Sequence, residues 1–251
     1  MPLTFPSHPA AVLPLKLWRP RWFDGVALVT GAVSPDVAYL FTGTAWDLPR
    51  THTAAGLLWW CLPVALAYAW VVRRAVAVVA PHLPAGSRFR WTDYTALTAV
   101  RHPWWITAGS ALLGAISHVV WDRVTHTNWL GALGVDWYGA TGVHWWTVSD
   151  PASTLLGAVV TVGVARRVAD RRDMLTEAPS AVPARRAVFV AVAGVVLAAG
   201  VAVVPLLPAA EHIAPTGVRL LHALACALLA GGVAATVTGR ARSGRLDRKQ
   251  R

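Results

Sequence analysis

The sequence predicts an all-α integral membrane protein with about six transmembrane helices and an N-terminal re-entrant half-helix. Three observations carry that expectation. Of the 251 residues, 55% are hydrophobic and only 14% charged, too little charge to solvate a surface that meets water on all sides. The apolar residues gather into runs that approach the ~20 needed to cross a hydrocarbon core as a helix. Lys and Arg fall between alternate runs, as the positive-inside rule requires.

The expected spans are residues 23–44, 54–72, 103–121, 152–165, 187–207 and 217–238, the fourth being short. With the N-terminus inside, the cytoplasmic segments hold 20 of the 23 Lys and Arg, leaving Arg50, Arg123 and Arg219 for the other face. This places the chain in the plasma membrane with both termini cytoplasmic. A net charge of +11 could otherwise suggest nucleic acid, but no basic face or RNA-type motif is visible. The expected partner is the lipid bilayer.

The opening stretch, MPLTFPSHPAAVLPLKLWRP, lacks a basic region ahead of its apolar part and a cleavage site, so it reads as retained and not as a removable signal peptide. Residues 8–17 are too short to span; Pro6 and Ser7 start a helix about 15 Å long that runs to the basic turn at 16–21. Polar backbone at that depth must be buried in protein or line a wet cavity. The half-helix therefore implies an interior pocket among the first four spans, with His8 at its deep end.

These elements divide the chain into a helical membrane core with a candidate metal site at 1–168, a basic cytoplasmic linker at 169–186 punctuated by Pro179 and Pro183, a two-helix scaffold at 187–239 and a basic tail at 240–251. The scaffold is nearly pure Val, Ala, Leu and Gly, suited to close helix packing. The loop at 124–150 has no Lys or Arg and carries Trp129, Trp137, Trp145 and Trp146, an aromatic belt for the outer interface. Cys61 and Cys226 each fall inside a span, which leaves no disulfide framework and no cysteine-based metal site.

Ionisable groups inside apolar spans cost of order a few kcal/mol each and are functional candidates by default. They accumulate in the first half. Asp36 lies mid-span in GAVSPD, where Pro35 loosens the helix, and His52 sits in Thr51-His52-Thr53 at the outer mouth of the second span. The third span ends with His118, Asp122 and His126 at i, i+4 and i+8, one face of a helix. Adjacent members lie about 6 Å apart along the axis and the outer two about 12 Å, so Asp122 is placed to bridge two metals.

By depth, Asp36, His52, His118, Asp122 and His126 share the outer half, and His8 approaches Asp36. Imidazoles and carboxylates without thiolate suit a divalent metal, zinc first, with iron, nickel and manganese as alternatives. Any one of these residues alone reads as an interhelix hydrogen-bonding partner; together they read as ligands. His82, His102, His212 and His222 read as structural. His144 and Asp150 flank the outer loop, with pocket and interface roles both open.

The opening MPLTFPSHPAAVLPL, the GAVSPD run, Thr51-His52-Thr53 and the stretch from Ser117 to His126 together resemble the bacterial multi-pass membrane domain-of-unknown-function family 4184. That family is distantly similar to membrane-bound metal-dependent hydrolases of the zinc-dependent phospholipase C and P1 nuclease type. The resemblance implies that Asp36, His52, His118 and Asp122 surround one metal, that His8 and bridging Asp122 approach a second, and that His126 matches the next histidine of the pattern. A later His-x-x-x-Glu pair, found in the soluble enzymes, is missing from this chain.

The expected function is a membrane-bound metal-dependent hydrolase acting on a phosphoester-type or lipid-derived substrate, with a lipid or envelope molecule suited to the location. Asp36 or Asp122 is the expected general base and His126 the group that protonates the leaving oxygen. Two alternatives remain: an ion-binding or transport protein whose His and Asp line a path, and a non-catalytic structural protein whose polar residues glue helices.

Overall fold

In the computed structural model, residues 7–84, 89–171 and 185–249 are described, with side chains to residue 239. Among them every regular element is helical. Helix α1 spans Ser7–Trp18 and α2 Gly25–Val33, followed by a 3-10 turn at Asp36–Phe41. The short α3, Ala54–Gly56, runs through a π turn at Leu57–Cys61 into α4, Leu62–Val79. After a 3-10 turn at Trp91–Thr98 come α5, Trp104–His126, the small α6, Trp137–Thr141, and α7, Trp145–Asp170. Helices α8, Arg186–Val203, and α9, Ile213–Lys249, complete the chain.

Four segments are long and apolar enough to cross a membrane: Ala54–His82, Trp145–Asp170, Arg186–Leu206 and Ile213–Gly239. They correspond to the second, fourth, fifth and sixth expected spans. The first expected span is divided. Helix α2 has nine residues, about 13 Å, and ends at Ser34, whose N–H and hydroxyl both donate to Gly31 O. Pro35 follows, and the chain tightens into the 3-10 turn that carries Asp36. Helix α5 has 23 residues, about 34 Å, and is long enough to cross, but Ser110, Ser117, His118 and Asp122 reduce its apolar character.

The short fourth span is a fragment of a longer helix. α7 has 26 residues and passes through Pro151, so residues 145–150, read from sequence as loop, form its first turns. Helix α1 has 12 residues, about 18 Å, too short to cross a bilayer; Pro6, expected at its start, lies outside the described residues. So do residues 172–184 of the expected linker and the side chains of the tail at 240–251.

Helix α2 is sandwiched between α4 and α5, α1 lies against α2, α5 and α7, and α8 and α9 pair with each other, α9 also meeting α4 and the 3-10 turn. Small side chains line these contacts, with Ala27, Ala65 and Ala111 fully buried together and Val12 packed on Leu28 and Ala32. Close backbone approach is the usual means by which helices associate in lipid, where apolar burial supplies little drive. A polar knot ties α2, α4 and α5 at the end opposite His118. Arg73 reaches Asp24 with a single nitrogen at 2.7 and 2.6 Å, Thr107 donates to Asp24 at 2.8 Å, and Asp24 caps α2 through the N–H groups of Val26 and Ala27.

The start of α1 meets α7 at Gly157, where a Cβ would overlap the backbone of Ser7. On the same helix, a Cβ at Gly163 would meet nothing within 4 Å. Gly157→Ala is therefore expected to destabilise the protein by about 1–3 kcal/mol through overpacking, read as a lowered unfolding midpoint in detergent. Gly163→Ala is expected to leave that midpoint unchanged; equal effects of the two would show that α1 does not depend on this contact.

Candidate metal centre

Each side chain of the cluster is brought in by a separate local device. Asp36 opens the 3-10 turn because α2 stops at Ser34–Pro35, and it is buried there. His52 sits on the loop ahead of α3, where Thr53 caps the helix through Gly56 N and donates its hydroxyl to Arg50 O. The Cys61 thiol, one helical stretch on, donates to Thr51 O. His118, Asp122 and His126 line one face of α5, as their spacing requires. His8 enters from the first turn of α1, 1% exposed.

The four residues Asp36, His52, His118 and Asp122 each offer a ligand atom within 4.8 Å of the others. His118 is fully buried, and its Nδ1 lies 2.7 Å from the Ala32 carbonyl. That carbonyl is one of the acceptors left over at the end of α2. A carbonyl cannot donate, so Nδ1 carries a proton and Nε2 is the nitrogen that faces the cluster. From Nε2, Asp36 Oδ1 is 3.3 Å away, Asp122 Oδ2 3.2 Å and His52 Nε2 3.3 Å. His52 Nε2 in turn lies 3.2 Å from Asp36 Oδ1 and 3.6 Å from Asp122 Oδ2.

The other oxygen of Asp122 faces a different pair. His126 Nε2 lies 3.3 Å and His8 Nε2 3.6 Å from Oδ1, while the His8 ring stacks on His118 with centroids 3.8 Å apart. Oδ1 is buried and accepts no hydrogen bond among the described residues. Behind His126, buried Asp150 sets Oδ1 2.7 Å from Nδ1, on the other side of the ring from Asp122. All six expected ligands thus meet in one place, and Asp150, left open from sequence, joins them. His144 does not: its ring stacks between Trp146 and Tyr138, with centroids 4.2 and 4.8 Å away.

The histidines read as structural lie elsewhere. His222 meets Tyr68 at 2.7 Å, His102 meets Lys16 at 3.3 Å, His82 packs near Phe189, and His212 stands beside Glu211. One neighbour was missed. Tyr39 is on the same 3-10 turn as Asp36, its ring centroid 6.2 Å from that of His52, and it also lines a cavity of about 450 Å³ with Thr42, Glu211, His212 and Pro215. The signal was available, since a residue three after Asp36 must share its side of so tight a turn.

Imidazole nitrogens and carboxylate oxygens at these separations form a donor set of the kind that holds a divalent cation. A ligand that binds only the folded state raises stability by mass action. Zinc is therefore expected to raise the unfolding midpoint of the wild-type protein in detergent and to leave that of Asp122→Ala unmoved, as read by differential scanning fluorimetry. An equal rise in both would place the binding elsewhere.

No curated protein and no solved structure matches the chain. A family model described as Domain of unknown function (DUF4184) matches residues 1–239, nearly its whole length, and the chain belongs to that family.

Proposed function

We propose that the protein is a plasma-membrane metal-dependent hydrolase acting on a phosphoester-type, lipid-derived substrate, with both termini cytoplasmic and α1 re-entering from the inner side. Asp36, His52, His118 and Asp122 hold one divalent cation, and His8, Asp122 and His126 hold a second. The observation that carries this reading is the Asp122 carboxylate, whose two oxygens face two separate pairs of histidine nitrogens. When bound, zinc or a similar cation supplies Lewis acidity: it polarises a phosphoryl oxygen and acidifies water.

The residues of the chain supply the remainder. Asp36 and Asp122 place negative charge against three imidazoles and are the groups able to take a proton from water. His52 and Asp122, 33% and 23% exposed at the side chain, form the open side of the centre, whereas His8, His118 and Asp36 close its floor. Asp150 fixes the ring of His126, which serves as ligand when the second cation is bound and protonates the leaving oxygen when it is not. Trp129 and Trp145 both donate to Val124 O and fold the outer loop back over the end of α5, so the substrate meets the centre at the level of an aromatic belt.

Metal content by mass spectrometry on detergent-purified protein, combined with hydrolysis of bis(4-nitrophenyl) phosphate and of phospholipid vesicles, tests the reading. Near-stoichiometric metal is expected in the wild type and its loss in folded His118→Ala and Asp122→Ala, with kcat/KM in Asp122→Ala lower by about 10²–10⁴-fold. A wild type that takes up no metal even after reconstitution overturns the reading. Bound metal without turnover of either substrate overturns the hydrolase and leaves ion binding.

A further inference from the structure

An arginine within an apolar span is costly unless its donors are satisfied. Arg219 lies in the second turn of α9 and is 4% exposed. Its partners are all backbone carbonyls: Nε donates to Leu40 O at 3.3 Å, Nη2 to Thr42 O at 2.8 Å and Nη1 to Pro208 O at 2.6 Å. Among the described residues no carboxylate stands within ion-pair distance of it. Leu40 and Thr42 end the 3-10 turn that Asp36 begins, and carbonyls at the end of a helical turn are unpaired and carry partial negative charge.

That turn needs outside support, because 3-10 hydrogen bonds are poorly aligned and short runs hold themselves weakly. Its leading edge is held by Trp60 Nε1, which donates to Ser34 O at 3.1 Å. The Phe41 ring also stands edge-on to Trp60, with centroids 6.4 Å apart, while the trailing edge meets the α8–α9 side of the molecule. There Gly43, at φ +77°, is close enough to Pro208 that an added Cβ would lie 3.0 Å from the proline Cβ. The guanidinium sits in this same seam and bridges it.

We propose that Arg219 is a positioning residue of the metal centre: it fixes the 3-10 turn so that Asp36 Oδ1 is held against His52 and His118. The inference rests on the metal-binding part of the reading above and extends it to α9, whose composition carries almost no other chemistry. A methionine would fill the same space but leave three carbonyls without a donor, and the turn would relax away from α9 with Asp36 on it.

His222, one turn further along α9, provides the comparison. It anchors the helix to α4 through Tyr68 at 2.7 Å and makes no hydrogen bond to the 3-10 turn. Its ring lines a cavity with Val37 of the turn but holds none of the turn's carbonyls, so loss of His222 is expected to loosen packing and leave Asp36 in place.

The test is zinc titration of the chelator-stripped full chain in detergent for wild type, Arg219→Met, Arg219→Lys and His222→Ala, with the metal-free unfolding midpoint of each. Arg219→Met is expected to weaken zinc binding about 10–100-fold, as loss of an orienting partner does, with a midpoint no lower than that of His222→Ala. Arg219→Lys is expected to recover part of the loss, and His222→Ala to bind as the wild type. Wild-type affinity in Arg219→Met overturns the proposal, as does an equal loss in Arg219→Met and His222→Ala. Should Arg219→Met fail to stay monodisperse, Arg219→Lys and Gly43→Ala, which strains the same seam, are each expected to bind more weakly than wild type, and wild-type affinity in both overturns the proposal. Zinc binding by the wild type with Arg219→Met unchanged removes this inference alone; no zinc binding by the wild type removes it together with the metal reading.

Discussion

A carboxylate inside an apolar bundle is tolerated only where donors or positive charge surround it, and Asp122 is where the first half of the chain meets that condition. Its oxygens lie within 3.6 Å of imidazoles from α1, from the loop before α3 and from two other turns of α5. The helices around it are interrupted on the way: α2 breaks at Pro35, and α4 is entered through a π turn. Regular helices alone could not bring so many polar groups to one depth.

The remainder of the architecture holds those irregularities in place. At the far end of α2, Asp24 gathers Arg73 and Thr107, so the helix is tied by polar contacts at one end and by the Ala32 carbonyl to His118 at the other. A buried pair such as Asp24–Arg73 adds little net stability, but removing one partner is severe, since the other charge is stranded. Its effect is to set register between α2, α4 and α5, and register decides whether His118 and Asp36 face each other.

The metal-type residues were legible in the sequence because two rules sufficed: helical spacing put His118, Asp122 and His126 on one face, and depth placed Asp36 and His52 opposite them. The spans were legible where composition alone decides, in α4, α8 and α9. Composition misled where a break mattered more than the average, at Pro35, and it cut α7 short because Trp145, Asp150 and Pro151 resemble a loop. Asp150 was legible only as a loop residue with its pocket role open, and Arg219 only as a cation of the other face, since what each touches lies far away in sequence: His126 for one, Leu40 and Thr42 for the other. Tertiary partners of that kind follow from packing, which no local pattern encodes.

The contact between Ser7 and Gly157 also bears on how the molecule is assembled. Chains are made from the N-terminus, so α1 leaves the ribosome before α7, yet α7, made more than a hundred residues later, forms one wall of its slot. Until that wall arrives, a segment too short to cross the bilayer has only α2 and α5 to lie against. Helix α1 is thereby fully seated only once α7 is in place, and the His and Asp cluster that His8 joins is complete only then.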